Sequence, residues 1–383
     1  MPDLEEVFRV ATDTKEPPQG GLERQRRLQD RRRRRARAAT FGVVAVAAAV
    51  VIGVIVSLSD PSSDPSAPLG TSPRPSGAVV VPKRFQPSIV GLDGSVEDLP
   101  VDLPDDAHGL AISPDGRTIA YVTADPTVGF CGGCGPGTRI AAIGLDGQHS
   151  RFLTINARSP VNQPTWSPDG SRVAFVSGRS GSAEIFVAEA PGNRGPDTRP
   201  ERITSNTAED GNPTWSPDGS RILFDDSGAE PLDGNLLSLT SEIWSAPADG
   251  GQAMRLTRND ASDRAPSVAP DGRIVFSHDV HLWTLDPRSG ETGPLPGGAD
   301  GWAPVWSPDG TKIAFLVYQG HREIAVDVWD PKPATRDMPI MSVVVLDLET
   351  GERIDLGVEV ATAFDDVSWL PSSDALVLNR LVE

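Results

Sequence analysis

Along most of the chain, short apolar runs alternate with clusters of Pro, Asp, Gly and Ser. Pro164-Thr-Trp-Ser-Pro-Asp-Gly-Ser-Arg-Val-Ala-Phe175 returns nearly letter for letter at Pro213–Phe224, and again at Pro304–Phe315. Looser copies begin at Leu110 and Pro266, and an eroded one is Val367-Ser-Trp-Leu-Pro-Ser-Ser-Asp374. Each copy predicts a strand, a turn and a second strand. Asp-Gly supplies the φ > 0 that a tight hairpin turn needs, and the preceding Pro ends ladder donation. The turn aspartates are Asp115, Asp169, Asp218, Asp271 and Asp309. Such a unit cannot bury its own apolar face, so several must stack into a repeat fold.

The Trp-Ser-Pro-Asp-Gly signature resembles the WD-repeat-like β-propeller repeat of the TolB family, over residues 87–383. The resemblance implies an all-β six-bladed β-propeller. Blades are expected at about 107–156, 160–205, 210–258, 263–296 and 301–357. The sixth lacks its outer strands at the C-terminal end. Ser88–Leu92 and Val96–Val101, joined by Asp93-Gly94, match the outer hairpin of the first blade and are expected to close the ring.

The N-terminal pattern is different. Residues 3–12 read as a short amphipathic helix, with Asp3 as cap, Glu6 three residues on, and Leu4, Val7, Phe8 and Ala11 on one face. A basic block, Arg24–Arg37, precedes an uncharged apolar run, Phe41–Leu58. Eighteen helical residues span about 27 Å, and eleven Val/Ile/Leu/Phe contribute roughly −4 kcal/mol to insertion. Residues 40–58 are therefore expected to form a single-pass transmembrane helix, with residues 1–39 as a cytoplasmic tail and the propeller outside. A cleaved signal peptide is the alternative. Residues 59–86, rich in Pro and Ser, read as a linker. It leaves no room for the α/β domain that precedes the propeller in TolB.

Charge is unevenly distributed. Residues 1–59 hold 11 Lys/Arg against 7 Asp/Glu, leaving 24 against 46 for the rest. An acidic domain argues against nucleic acid as a ligand.

Function is expected on one rim. The Asp-Gly turns form one face, whereas the long B–C loops Ala124–Gly137, Asp226–Thr240 and Tyr318–Pro339 all fall on the other. Asp106, Asp210, Asp263, Asp300 and Asp365 stand near the inner strands on that second face. They could gather at the channel mouth to hold Ca²⁺ or a basic peptide, or simply cap their own turns. Cys131 and Cys134 are read as a disulfide in an oxidising compartment. His278 and His281, three apart on extended chain, are expected to face opposite ways and share no ligand. Trp166, Trp215, Trp306 and Trp369 occupy one repeat position and are assigned to the blade core. No nucleophile elbow or phosphate loop appears. The reading is a membrane-anchored binding module with an extracytoplasmic protein or peptide partner, and a possible cytoplasmic partner for residues 1–39. A propeller lyase or hydrolase using the channel-mouth carboxylates is the alternative.

Overall fold

The computed structural model describes residues 85–382 apart from 126–136, 155–159, 191–198, 228–229, 233–235, 239, 298, 327–333 and 361–366. The predicted transmembrane helix, the cytoplasmic tail, nearly all of the linker, the Cys131–Cys134 pair and Asp365 lie outside these residues. Among the described residues, no helix is long and apolar enough to cross a membrane.

The chain enters through β1 (Phe85–Gly91) and β2 (Val96–Asp98). Blade 1 is the meander β3 (His108–Ile112), β4 (Thr118–Ala124), β5 (Thr138–Gly144) and β6 (Arg151–Phe152). Blade 2 is β7 (Val161–Trp166), β8 (Arg172–Ser177), β9 (Glu184–Glu189) and β10 (Glu201–Arg202). Blade 3 uses β11 (Asp210–Trp215), β12 (Arg221–Asp226), β15 (Glu242–Pro247) and β16 (Met254–Arg255). Its B–C connection forms a separate hairpin, β13 (Glu230–Leu232) with β14 (Leu236–Ser238). Blade 4 is β17 (Asp263–Val268), β18 (Ile274–His278), β19 (His281–Leu285) and β20 (Thr292–Pro294). Blade 5 is β21 (Trp302–Trp306), β22 (Lys312–Val326), β23 (Ala334–Asp347) and β24 (Arg353–Val360).

Blade 6 closes the ring as expected. β25 (Val367–Trp369) and β26 (Ala375–Leu381) are completed by β1 and β2, with seven Cα partners from Phe85↔Leu381 to Gly91↔Ala375. Closure leaves only short edges to protect.

The blades stack through a repeated set of side chains. Phe175, Phe224, Phe276 and Phe315 are fully buried, and the four repeat tryptophans are 5–9% exposed. Three indoles reach the inner strand of the preceding blade. Trp166, Trp215 and Trp369 donate Nε1–H to the carbonyls of Ala111, Thr165 and Val305 at 3.0–3.1 Å. Trp306 is the exception, with its buried Nε1 unpartnered. Blade 4, which it faces, carries the degenerate Val268-Ala269-Pro270 repeat, and a cavity of 660 Å³ opens between blades 4 and 5 beside it.

Four of the five repeat Asp-Gly turns are tied in the same way, Asp271 being the exception because Ala269 stands where the others have Ser. Ser167 Oγ donates to Asp169 at 2.6 Å, and the Ser171 amide donates to the same carboxylate at 3.0 Å. Asp115, Asp218 and Asp309 repeat the arrangement. Gly170 follows at φ 69, where a Cβ would be strained. In the eroded sixth copy Ser373 stands at this position with φ 60, and its Oγ accepts from the Asp309 amide of blade 5.

One loop expectation is corrected. Tyr318–Pro339 is not a loop: β22 and β23 stay paired out to Val326↔Ala334 as a two-stranded ribbon, with a bulge at Tyr318/Gly320. At its base Tyr318, Gln319, His321 and Arg322 are all exposed, so this part of the strand does not need the apolar alternation that marks the rest. Ile340 and Met338 near its base pack on Phe85 and Leu381, where the chain enters and leaves the propeller.

Candidate functional site

Strand direction sets the two rims apart. In blade 3, Asp210 at the start of β11 pairs with Asp226 at the end of β12, which pairs with Glu242 at the start of β15. The D–A and B–C connections therefore share one rim, with the Asp-Gly turns on the other. The first rim carries the blade 3 hairpin, the blade 5 ribbon and both ends of the propeller chain. Tyr318 is 45% exposed there, edge-on to Trp302 and to His321 at 6.4 and 5.7 Å between ring centres. His321 faces Asp337 at 3.3 Å, and Arg322 pairs with Glu359 at 2.9 Å.

Two of the predicted aspartates sit on a relay that repeats between blades 2 and 3. Glu184, fully buried, accepts from Arg202 at 2.6 Å, Thr204 at 2.7 Å and the Asn206 amide at 3.1 Å. The Asn206 side chain then donates to Asp210 at 3.0 Å. In the next blade Glu242 accepts from Arg255 at 2.7 Å, Thr257 at 2.6 Å and the Asn259 amide at 3.1 Å, and Asn259 donates to Asp263 at 2.7 Å. Asp210 is 2% exposed and Asp263 fully buried. Sequence reasoning missed the Glu, Arg, Thr and Asn of this relay. Their signal was visible as Glu-Ile-aromatic at 184 and 242, and as Arg-apolar-Thr-x-Asn at 202 and 255.

The environment of Asp210 changes its chemistry. Burial disfavours its charged form, and the hydrogen bonds from Asn206 and Thr204 only partly offset this, while Asp226 and Glu184 add repulsion. Its pKa is pushed up to about 7. Burial likewise raises Asp225, whose carboxylate accepts from the Asn212 side chain and the Ala265 amide, both at 2.7 Å.

Those last contacts belong to a ring of inner-strand bulges. Gly109, Gln163, Asn212, Ala265 and Ala303 occupy one repeat position, and all have φ between 48 and 60. Each bulge shifts the register between the first two strands of its blade. Three bulge amides are tied to the preceding blade: Asn212 to Gln163, Ala265 to Asp225 and Ala303 to Ser277. Holding non-glycine residues there costs of order 1 kcal/mol each, and contacts between blades hold the strain in place.

The remaining candidates are separate. Asp106 accepts from the Thr123 hydroxyl at 3.0 Å and from the Ala124 amide, capping its own blade. Asp300 is 80% exposed and accepts from His281 Nδ1 at 2.6 Å. None of Asp106, Asp210, Asp263 and Asp300 is bonded to another of the four. Among the described residues no three His, Cys, Asp or Glu side chains gather as a metal-holding group.

The histidine expectation is corrected. His278 and His281 flank a two-residue turn, with Asp279 at φ 55, and are direct cross-strand partners. Partners across a hairpin share a face, whereas the period-2 argument applies only along one strand. Asp263 pairs with His278 from the other side, and an isolated bridge joins His281 to Asp300. Blade 4 thus carries the row Asp263, His278, His281, Asp300.

Comparison with known proteins fits this geometry. Residues 109–332, more than half the chain, match the family model of the TolB beta propeller domain. The Tol-Pal system protein TolB of Bordetella pertussis is 36% identical over 136 residues, which are 35% of this chain and 28% of that protein's length. Dipeptidyl-peptidase 5 of Porphyromonas gingivalis is 34% identical over 77 residues, 20% of this chain and 10% of the peptidase. A solved structure assigned to TolB, from Agrobacterium tumefaciens, superposes with a TM-score of 0.58 at 20% identity, covering 78% of this chain and 99% of that one.

Proposed function

The chain belongs to the TolB beta propeller domain family, and from that premise we propose that it is a membrane-anchored propeller, held outside the cytoplasm, that binds a protein or peptide partner on its loop-rich rim. One observation carries the reading. The blade 3 hairpin and the blade 5 ribbon both rise from one rim, where the ribbon stands beside exposed Tyr318, while four of the five Asp-Gly turns on the other rim share one hydrogen-bond pattern. Rigid repeats with one elaborated rim are suited to recognition. The Bordetella relative is named as a Tol-Pal system protein, which supports a protein of such a system as the partner here. The basic block followed by an apolar run at 40–58 supports the anchor.

Capture from envelope extracts by the full chain tests this. Shortening the ribbon to a tight turn between the cross-strand partners Arg322 and Met338, which keeps Met338 and Ile340 on Phe85 and Leu381, should abolish capture while the melting temperature holds. Equal capture by the shortened variant would refute the ribbon's role. The lyase or hydrolase reading rests on Asp210, the carboxylate poised near neutrality, and predicts turnover that Asp210→Asn would remove.

A further inference from the structure

The blade 4 row has a chemistry that partner binding does not use. His278 and His281 lie opposite each other on one face, with Asp263 and Asp300 at the two ends of the row. Each imidazole donates its Nδ1–H to the carboxylate at its own end, both at 2.6 Å. The two nitrogens of an imidazole lie on opposite flanks of the ring, so this arrangement turns both Nε2 atoms inward along the row. Neither Nε2 makes a hydrogen bond to the protein. A carboxylate on Nδ1 keeps the proton there and the lone pair on Nε2, the tautomer that coordinates metals. Stacking on Trp283, 4.0 Å between ring centres, fixes the plane of His278. His281 is 56% exposed and leaves the row open to solvent.

We propose that His278 and His281 bind one divalent transition-metal ion through their Nε2 atoms, with Asp263 and Asp300 as the outer carboxylates and water completing the shell. Directly paired residues have Cβ atoms about 5 Å apart, a span that two imidazoles and a metal at about 2.1 Å from each nitrogen can bridge. Imidazole donors select Zn²⁺, Ni²⁺ or Cu²⁺ over Ca²⁺ and Mg²⁺. Two imidazole donors leave the remaining coordination positions to water, so the site is open and exchangeable rather than a closed structural centre.

Calorimetric titration of the full chain with Zn²⁺ tests the assignment, in a Cys131→Ser/Cys134→Ser background so that no thiol competes. One Zn²⁺ per chain is expected, with no competition from Ca²⁺. His281→Asn, at an exposed position that does not burden folding, should weaken binding at least tenfold. Asp300→Asn should weaken it about tenfold by loosening the ring it orients. Absence of saturable Zn²⁺ binding overturns the proposal, as does unchanged affinity in a folded His281→Asn protein.

Discussion

Aspartate recurs on both rims of the propeller, with opposite consequences. On the turn rim, Asp169 is exposed and takes hydrogen bonds from Ser167 and Ser171, which hold its pKa down at about 2. Asp115 is lowered chiefly by Ser113. For Asp218 and Asp309, burial pushes upward but the same turn bonds outweigh it. On the loop rim, Asp210 has lost most of its water and stands near 7, with buried Asp225 raised as well. Identical side chains therefore serve as charged turn acceptors on one side, whereas on the other burial pushes the carboxyl of Asp210 up to about 7 and raises that of Asp225. Both rims carry repeated supports, the turn bonds on one and the Glu184 and Glu242 relay on the other, and the departures from repetition, the blade 3 hairpin and the blade 5 ribbon, rise from the second.

Four perturbations test this contrast, in falling order of effect. Glu242→Ala strands Arg255, Thr257 and the Asn259 amide around an emptied buried position, and should cost about 3–5 kcal/mol in denaturant unfolding. A cost below about 1 kcal/mol would mean that the relay is not structural support for Asp263.

The second concerns Asp210 and pH. An acid whose folded pKa lies above its unfolded value near 3.8 binds more protons when folded. Its contribution is full below pH 4 and is lost as pH rises toward 7, by up to a few kcal/mol. Asp210→Asn should flatten that decline and leave the protein more stable than wild type at pH 8. A wild-type-like slope in the variant would place the lost protons elsewhere.

Third, Gly170→Ala forces a Cβ into φ 69 and should cost about 1–2 kcal/mol on the turn rim. The last effect has the opposite pH sign to Asp210. The lowered pKa of Asp169 adds stability above the unfolded pKa near 3.8 that is lost as pH falls toward 2. Solvent screening limits it to a few tenths of a kcal/mol, read as the acid-limb difference between wild type and Asp169→Asn.

The two rims also differed in how far the residues alone disclosed them. Six blades were legible because Trp-Ser-Pro-Asp-Gly states its own structure locally: the Pro stops a strand, the Gly permits the turn and the Trp packs inward. Ring closure was legible because Ser88–Leu92 copies an outer strand. The blade 5 ribbon was not, since Tyr318–Pro339 contains the Pro and Gly that mark loops and shows no sustained period-2 alternation. The inner-strand bulges escaped as well, because only Gly109 advertises a left-handed backbone while Gln163, Asn212, Ala265 and Ala303 are held there by neighbouring blades. His278 and His281 were judged along one strand, although the two-residue turn between them makes them partners. Local signals were readable, and features imposed by contacts between blades were not.

The most direct test of the central claim is hydrogen exchange of the full chain with and without its captured partner. Binding on the loop rim predicts slowed exchange at residues 210–212 and 263–265 and along the ribbon from 318 to 341, with the turns at 113–117, 167–171 and 307–311 unchanged. Protection confined to those turns, with the ribbon exchanging freely, would contradict the account.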